Sequence, residues 1–352
     1  MRVKKSRRYL GRPGILIAAV CGLLLVGIAA YAGFLTKKAN DAITRISAPG
    51  GNSGCESVSA EDKAAAKPIL FLIAGVDNRE GGGGSMNTDV MMLVALDPEK
   101  KAATVLSLPR DVQLKPEKLT SQKANYYYAY YYNKDKTSAI TNTKTFFSDL
   151  FRLPIDYMAI IDFDGFRKLV DALGGLQIDV DMNMKYVDEE DGTDIDLKKG
   201  VQLLNGKKTL DFVRYRKSNM GTAESSDLAR NERQHQVVSK LLDKLTSLGG
   251  ITQWGNVLDI AGESVKTDVP EPMIRDWITQ FRKMKPEQID FVPLEGKWDS
   301  PYIVPTEKDM AAALNAIRER LGLSALTDSS ALVKVIGLER TDSRTVTTET
   351  YR

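Results

Sequence analysis

Residues 14–35, GILIAAVCGLLLVGIAAYAGFL, run for 22 positions without a charge. As a helix rising about 1.5 Å per residue, such a run crosses the roughly 30 Å hydrocarbon core of a bilayer. It follows RVKKSRRYLGR and precedes only Lys37 and Lys38, so the positive-inside bias predicts a cytoplasmic N-terminus. The bulk of the chain would then lie outside the cytoplasm. A cleaved signal peptide is the rival reading, but the run exceeds a usual h-region and ends without a small-x-small site. A lipoprotein fits less well, because Val20 stands where a small residue should precede Cys21. The expected organisation is a basic cytoplasmic segment at 1–13, an uncleaved anchor at 14–35 and a flexible Gly/Ser/Ala-rich linker at 36–67. One folded domain at 68–325 and a polar tail at 326–352 complete it.

Charge is unevenly placed along this plan. Residues 1–38 hold eight Lys or Arg and no acid, leaving 41 basic and 46 acidic side chains in the remainder. The large part is mildly acidic and carries no electrostatic footprint for nucleic acid. Cys21 lies in the apolar run and Cys55 in the linker, in neither a metal nor a redox spacing. His235 is the only histidine, which removes Ser-His-Asp catalysis and His-rich zinc sites. Chemistry is left to carboxylates, arginines and a metal that accepts oxygen ligands.

Periodicity places strands at 68–75 (PILFLIAG), 90–96 (VMMLVAL) and 103–108 (ATVLSL), with DPEKK as a hairpin turn between the last two. YMAIIDF (157–163) reads as a further strand, FDGFRKLVDALGG as a helix stopped by Gly174 and Gly175, and LQIDV as extended chain. LNGKKTLDFV suggests a short helix capped by Asn205, and Asp227–Leu248 a long amphipathic helix ended by Gly249. EPMIRDWITQFRKM and TEKDMAAALNAIRERLG are later helices with the strand IDFVPL between them. The uneven alternation predicts an α/β (α+β) class with a mixed central sheet flanked by helices.

Asp77 follows the first strand, Asp89 opens the second, and Arg110 with Asp111 closes the third. If simple hairpins join these strands, the groups share one edge of the sheet. Two carboxylates beside an arginine suit Mg²⁺, which keeps waters and shares its shell with substrate phosphates; aspartates at turns and strand ends are the plain alternative. NREGGGGSMN lacks the G-x-x-x-x-G-K-[ST] pattern and is read as a lid, not a phosphate loop. Arg214 and Arg216 lie two apart, pointing the same way in extended chain, and Arg230 and Gln234 share a face at the start of the long helix. Cations there oppose the macrodipole unless an anion is bound, so an anion site and a solvated charged loop stand as two readings. Asp227 reads as the helix N-cap. YYYAYYYN (126–133) is read as core packing, with sugar stacking or a membrane interface as the alternatives.

The segments LIAGVDNRE, NTDVMMLVALDP, VLSLPRDV, LPIDYMAIIDFDGFRKLVDALGG, LKKGVQLLNGKKTLDFVRYRK and DLARNERQHQVV occur in one order. Across roughly residues 68–318 the chain resembles the LytR-CpsA-Psr family. That resemblance implies a membrane-anchored extracytoplasmic enzyme of a Gram-positive bacterium. It would transfer a polyprenyl-diphosphate-linked glycopolymer (teichoic acid, capsule or another wall polysaccharide) to N-acetylmuramic acid of peptidoglycan. The family's Mg²⁺-binding aspartates fall on Asp77 and Asp89, with Mn²⁺ as a substitute ion. Its diphosphate-gripping residues fall on Arg110, Arg214, Arg216, Arg230 and Gln234, with Arg79 and Arg233 also matching. Asp227 is the candidate acceptor of the hydroxyl proton, beside Arg110 and Arg230 as catalytic groups. Two departures stand out. Asn87 occupies a position where the family commonly has arginine, and the loop between Arg216 and Asp227 is longer than expected. Hydrolysis of the same lipid diphosphate, or a non-catalytic anchored regulator, are the alternative functions.

Overall fold

The computed structural model describes residues 37–38, 40–46, 67–76, 86–189, 192–225, 227–246 and 254–326. The expected cytoplasmic segment and anchor lie outside them, as do most of the linker, nearly all of the tail, Gly249, Asp77 and Arg79. Among the described residues no helix is long and apolar enough to cross a membrane.

Three strands open the domain: β1 (Ile69–Val76), β2 (Thr88–Asp97) and β3 (Ala102–Ser107). Each runs antiparallel to the one before, which is the hairpin arrangement that the edge argument requires. β2 begins at Thr88, ahead of the expected Val90, so Asp89 lies inside the strand. Short strands β4 (Gln113–Leu114) and β5 (Gln122–Lys123) precede helices α1 (Tyr126–Lys134) and α2 (Ala139–Phe151). Next come β6 (Tyr157–Asp162), α3 (Phe163–Ala172), β7 (Leu176–Val180), β8 (Met184–Asp188), β9 (Thr193–Leu197) and β10 (Gly200–Leu204). The chain continues through α4 (Gly206–Arg214), α5 (Asp227–Thr246), α6 (Trp254–Ser264), β11 (Val265–Thr267) and α7 (Glu271–Met284). It closes with β12 (Gln288–Pro293), β13 (Lys297–Asp299), β14 (Tyr302–Val304) and α8 (Glu307–Arg320).

The main sheet has the order β11-β6-β1-β2-β3-β12, with β6 parallel to β1 and β12 parallel to β3. Register explains how it is covered. Tyr157, Phe71, Val94, Val105 and Phe291 are successive cross-strand partners, so their side chains share one face. Trp277 of α7 packs edge-on over Phe71 at 5.4 Å, and His235 of α5 stacks on Phe291 at 3.6 Å. Burial pushes the His235 imidazole down to about 4, so it packs there as a neutral ring. The next row, Met158, Leu72, Leu93, Leu106 and Val292, faces the other way. It packs in one apolar core with Phe147 and Leu150 of α2 and Leu314 and Ile317 of α8. The result is the expected α/β class, a mixed sheet between helices.

The segment YYYAYYYN is a helix, α1, that periodicity does not reveal because nearly every position is the same residue. Tyr127 and Tyr128 are buried, and Tyr127 stacks on Phe146 at 4.4 Å while donating to the Thr120 carbonyl at 3.0 Å. Core packing is the reading that holds for these two rings.

A second, smaller core joins β7–β10 to α3, α4 and α5 around Val170, Ile178, Ile195, Phe212 and Val237. Here the approach of α4 to α3 is so close that a Cβ on Gly206 would stand 2.1 Å from the Arg167 carbonyl. Only glycine fits that contact. Asn205 caps α4 by accepting from the Lys208 amide at 2.9 Å, as expected.

Candidate functional site

A cavity of about 340 Å³ opens where the end of β3 meets the second core. Its lining takes Asp89 from β2, Arg110 and Asp111 from the loop after β3, and Asp211 and Arg214 from α4. Arg216 and Lys217 come from the loop that follows, and Arg230 and Gln234 from α5. Six residues singled out from the sequence (Asp89, Arg110, Arg214, Arg216, Arg230 and Gln234) therefore meet in one place although they span about two fifths of the chain.

The loop carrying Arg110 is held on three sides by backbone bonds. Leu108 N donates to Met91 O at 2.9 Å, Asn125 N to Arg110 O at 3.1 Å, and Ile303 N to Asp111 O at 2.8 Å. These bonds fix the backbone from which the Arg110 side chain projects. Its Nη1 donates to Asp89 Oδ1 at 2.5 Å, and its Nε lies 3.6 Å from Asp111 Oδ2. Asp111 is the ionic centre of this corner. Only 5% exposed, it also accepts from Lys123 Nζ at 2.8 Å and stands 3.7 Å from Arg216 Nη1. Burial alone would raise its carboxyl, but the Lys123 hydrogen bond and the charges of Arg110, Lys123 and Arg216 hold it below the usual range.

The cations feel the opposite pressure. Burial and the neighbouring Arg110 lower Arg216. Burial, then Arg216 and Arg110, push Arg230 down to about 10. Crowding like charges in a partly desolvated cleft costs stability, and a polyanion there would offset that cost. Arg214 also lies over the Phe163 ring, 5.4 Å from its centroid.

Two expectations change. Arg214 does not lie in extended chain with Arg216: it is the last residue of α4, because the helix persists until Tyr215 leaves the helical region. Arg233 does not reach the cavity. Its side chain is 2% exposed, holds Asp181 through two hydrogen bonds at 2.8 and 2.7 Å, and donates to the Tyr215 carbonyl at 3.3 Å. It is thus a strut behind Arg216, held there by a carboxylate that the sequence gives no reason to pair with it. Asp227 is the first residue of α5, as the expected helix start has it, and its side chain, with any capping contact, lies outside what is described.

The loop 217–225 proves to be an ordered brace. Val187 N donates to Asn219 Oδ1 and Lys185 N to Thr222 Oγ1, both at 3.0 Å, while Ser218 Oγ donates to Lys185 O at 2.7 Å. These side chains satisfy the outer edge of β8, whose other edge pairs with β9. Tyr215 anchors the same loop, donating from its hydroxyl to Ala223 O at 2.7 Å. Periodicity misses the β8–β9 ribbon because its charged residues alternate with few apolar ones. Yet Tyr186, Asp188, Thr193 and Ile195 from it line the cavity.

A metal would find few ligands among the described residues, where no three His, Cys, Asp or Glu side chains are placed to hold one together. Mg²⁺ needs only one or two carboxylates when waters and phosphate oxygens complete its shell. Asp89, 22% exposed in the cavity wall, meets that chemistry. Val76, the last described residue before Asp77, pairs with Thr88, the residue before Asp89.

The family model of the LytR_cpsA_psr family matches residues 34–319. The polyisoprenyl-teichoic acid–peptidoglycan teichoic acid transferase TagU of Bacillus subtilis (strain 168) is 31% identical over 271 residues, 76% of this chain and 80% of TagU. The TagV transferase of the same strain is 28% identical over 256 residues, which cover 72% of this chain and 63% of TagV. Among solved structures, protein gbs0355 from Streptococcus agalactiae superposes with a TM-score of 0.59 at 25% identity, covering 74% of this chain and 90% of that one.

Proposed function

Since the chain belongs to the LytR_cpsA_psr family, we propose that it is a membrane-anchored phosphotransferase of the bacterial wall. It moves a glycopolymer (teichoic acid, capsule or another wall polysaccharide) from a polyprenyl diphosphate carrier to N-acetylmuramic acid of peptidoglycan. The transferase names of TagU and TagV support this reading. The observation that carries it is the convergence of Arg110, Arg214, Arg216 and Arg230 on one cavity. Four guanidinium groups complement a diphosphate in the sign of their charge and in their planar, forked donors.

In the reaction the acceptor hydroxyl attacks the sugar-side phosphorus. A new O–P bond forms, the bond from that phosphorus to the bridging oxygen breaks, and polyprenyl phosphate leaves with the electron pair. The hydroxyl proton passes to a carboxylate, which we assign to Asp227. Phosphoryl transfer depends chiefly on positioning and charge stabilisation, and the arginines supply both. Arg233 acts at one remove, fixing the Tyr215 carbonyl and so the course of the chain into Arg216. Purified full-length protein should release polyprenyl phosphate from a lipid-linked glycan only when a muramyl glycan is present. Release at full rate without the acceptor would mean hydrolysis, and no release at all would favour a non-catalytic wall protein.

Mg²⁺, or Mn²⁺ in its place, is the cofactor of this reading, and Asp77 and Asp89 would hold it. When bound it would neutralise phosphate oxygens during transfer. The Asp77→Ala, Asp89→Ala double variant should lose Mg²⁺ binding by titration calorimetry, and an unchanged isotherm would refute the assignment. The charge-free run at 14–35, with its basic flank, supports a single-pass anchor and an extracytoplasmic domain. Failure of external protease to digest the domain on wall-stripped cells would refute that topology.

A further inference from the structure

The cavity has two chemically different walls. Arg110, Arg214, Arg216 and Arg230, with Asp89 and Asp111 against Arg110, form one; Tyr186, Asp188 and Thr193 of the β8–β9 ribbon, which adds no cation to the lining, supply the other. A diphosphate fits the first, where arginines outnumber carboxylates, and is repelled by Asp188 on the second, which offers it no cation. A neutral ring rich in hydroxyls fits the second, because carboxylates accept strong hydrogen bonds from hydroxyls and an aromatic ring offers a stacking face.

The second wall is built for rigidity. Tyr186 donates from its hydroxyl to Asp188 Oδ2 at 3.0 Å, which orients the carboxylate. Asp188 pairs with Thr193 across the β8–β9 ribbon, and both line the cavity. Val187, between Tyr186 and Asp188, is held through its amide and its carbonyl by the Asn219 side chain. A carboxylate fixed in this way loses little freedom when a ligand binds.

From this, and resting on the transferase reading, we infer that Tyr186 and Asp188 bind the sugar next to the diphosphate. The loop 217–225 is the brace that keeps them in place. The long loop therefore belongs to sugar selection through β8, without having to touch the sugar itself.

Two probes test this on the full-length protein in detergent: a short-chain polyprenyl diphosphate, and the same lipid bearing one N-acetylhexosamine on its diphosphate. Asp188→Asn should weaken the sugar-bearing probe about tenfold, the scale of one charge-assisted hydrogen bond, and leave the sugar-free probe within about twofold. Asn219→Ala should move affinities in the same direction, with its circular dichroism unchanged. Equal losses for both probes, or no loss for either, would overturn the inference. Wild-type protein binding the sugar-free probe but losing nothing in Asp188→Asn would leave the transferase reading intact. Wild-type protein binding neither probe would overturn that reading and the inference together.

Discussion

Arg110→Ala should lower the rate of polymer transfer by about 10²–10³-fold, the usual cost of removing one preorganised group that stabilises transition-state charge. Arg110 is the side chain best placed to produce so large an effect. It lies between Asp89 and Asp111, and its backbone is clamped by Asn125. Its charge also bears on both Arg216 and Arg230, whose guanidinium groups it depresses. Loss of Arg110 relieves that repulsion but also takes a partner from Asp89 and Asp111. The two effects oppose each other, so the melting temperature should shift only slightly while activity collapses. A rate and a melting curve measured on one preparation separate this from simple unfolding. Arg110→Lys should not rescue transfer, since a point charge cannot reproduce the planar fork that spans two carboxylates or a diphosphate. Retention of full transfer by Arg110→Ala would remove the arginine cluster from the mechanism.

The sequence makes the local half of this site legible and hides the rest. β1, β2 and β3 are joined by hairpins, so apolar runs and a DPEKK turn suffice to place Arg110 and Asp89 at one end of the sheet. The parallel additions, β6 beside β1 and β12 beside β3, bring together residues separated by long connections, and no local signal encodes such pairings. Arg214 and Arg216 are visible as a pair, but the helix carries on to Arg214 and ends between them, a boundary that no residue there marks. Arg230 and Arg233 look alike in sequence, three apart on one helix. Asp181, distant in the chain, draws one of them into the interior and so separates a site residue from a strut. The braced β8 edge escapes for the same reason, since its partners are side chains of a loop.

Asp111→Asn should cost about 2 kcal/mol of stability at neutral pH and abolish most transfer. The buried carboxylate faces Arg110, Lys123 and Arg216, and an amide would leave those three cations without their shared counter-charge. Breaking a fully buried pair costs about 3–5 kcal/mol. The smaller figure applies here because the three partners are 37%, 32% and 40% exposed, and water screens them. Urea unfolding of the two proteins checks the value. Acid supplies a second test with a definite sign. The folded-state Asp111 carboxyl sits below its ordinary value of 3.8, so its contribution is fully present above that value and is lost as pH falls through the lower folded one. The stability gap between wild type and Asp111→Asn should therefore stay constant from neutrality down to about pH 5 and narrow only in stronger acid. Inorganic pyrophosphate should raise the melting temperature of the variant more than that of wild type, because a polyanion replaces the missing charge. A gap that persists unchanged at pH 2, together with equal shifts by pyrophosphate, would mean that Asp111 holds the loop by shape alone and not by charge.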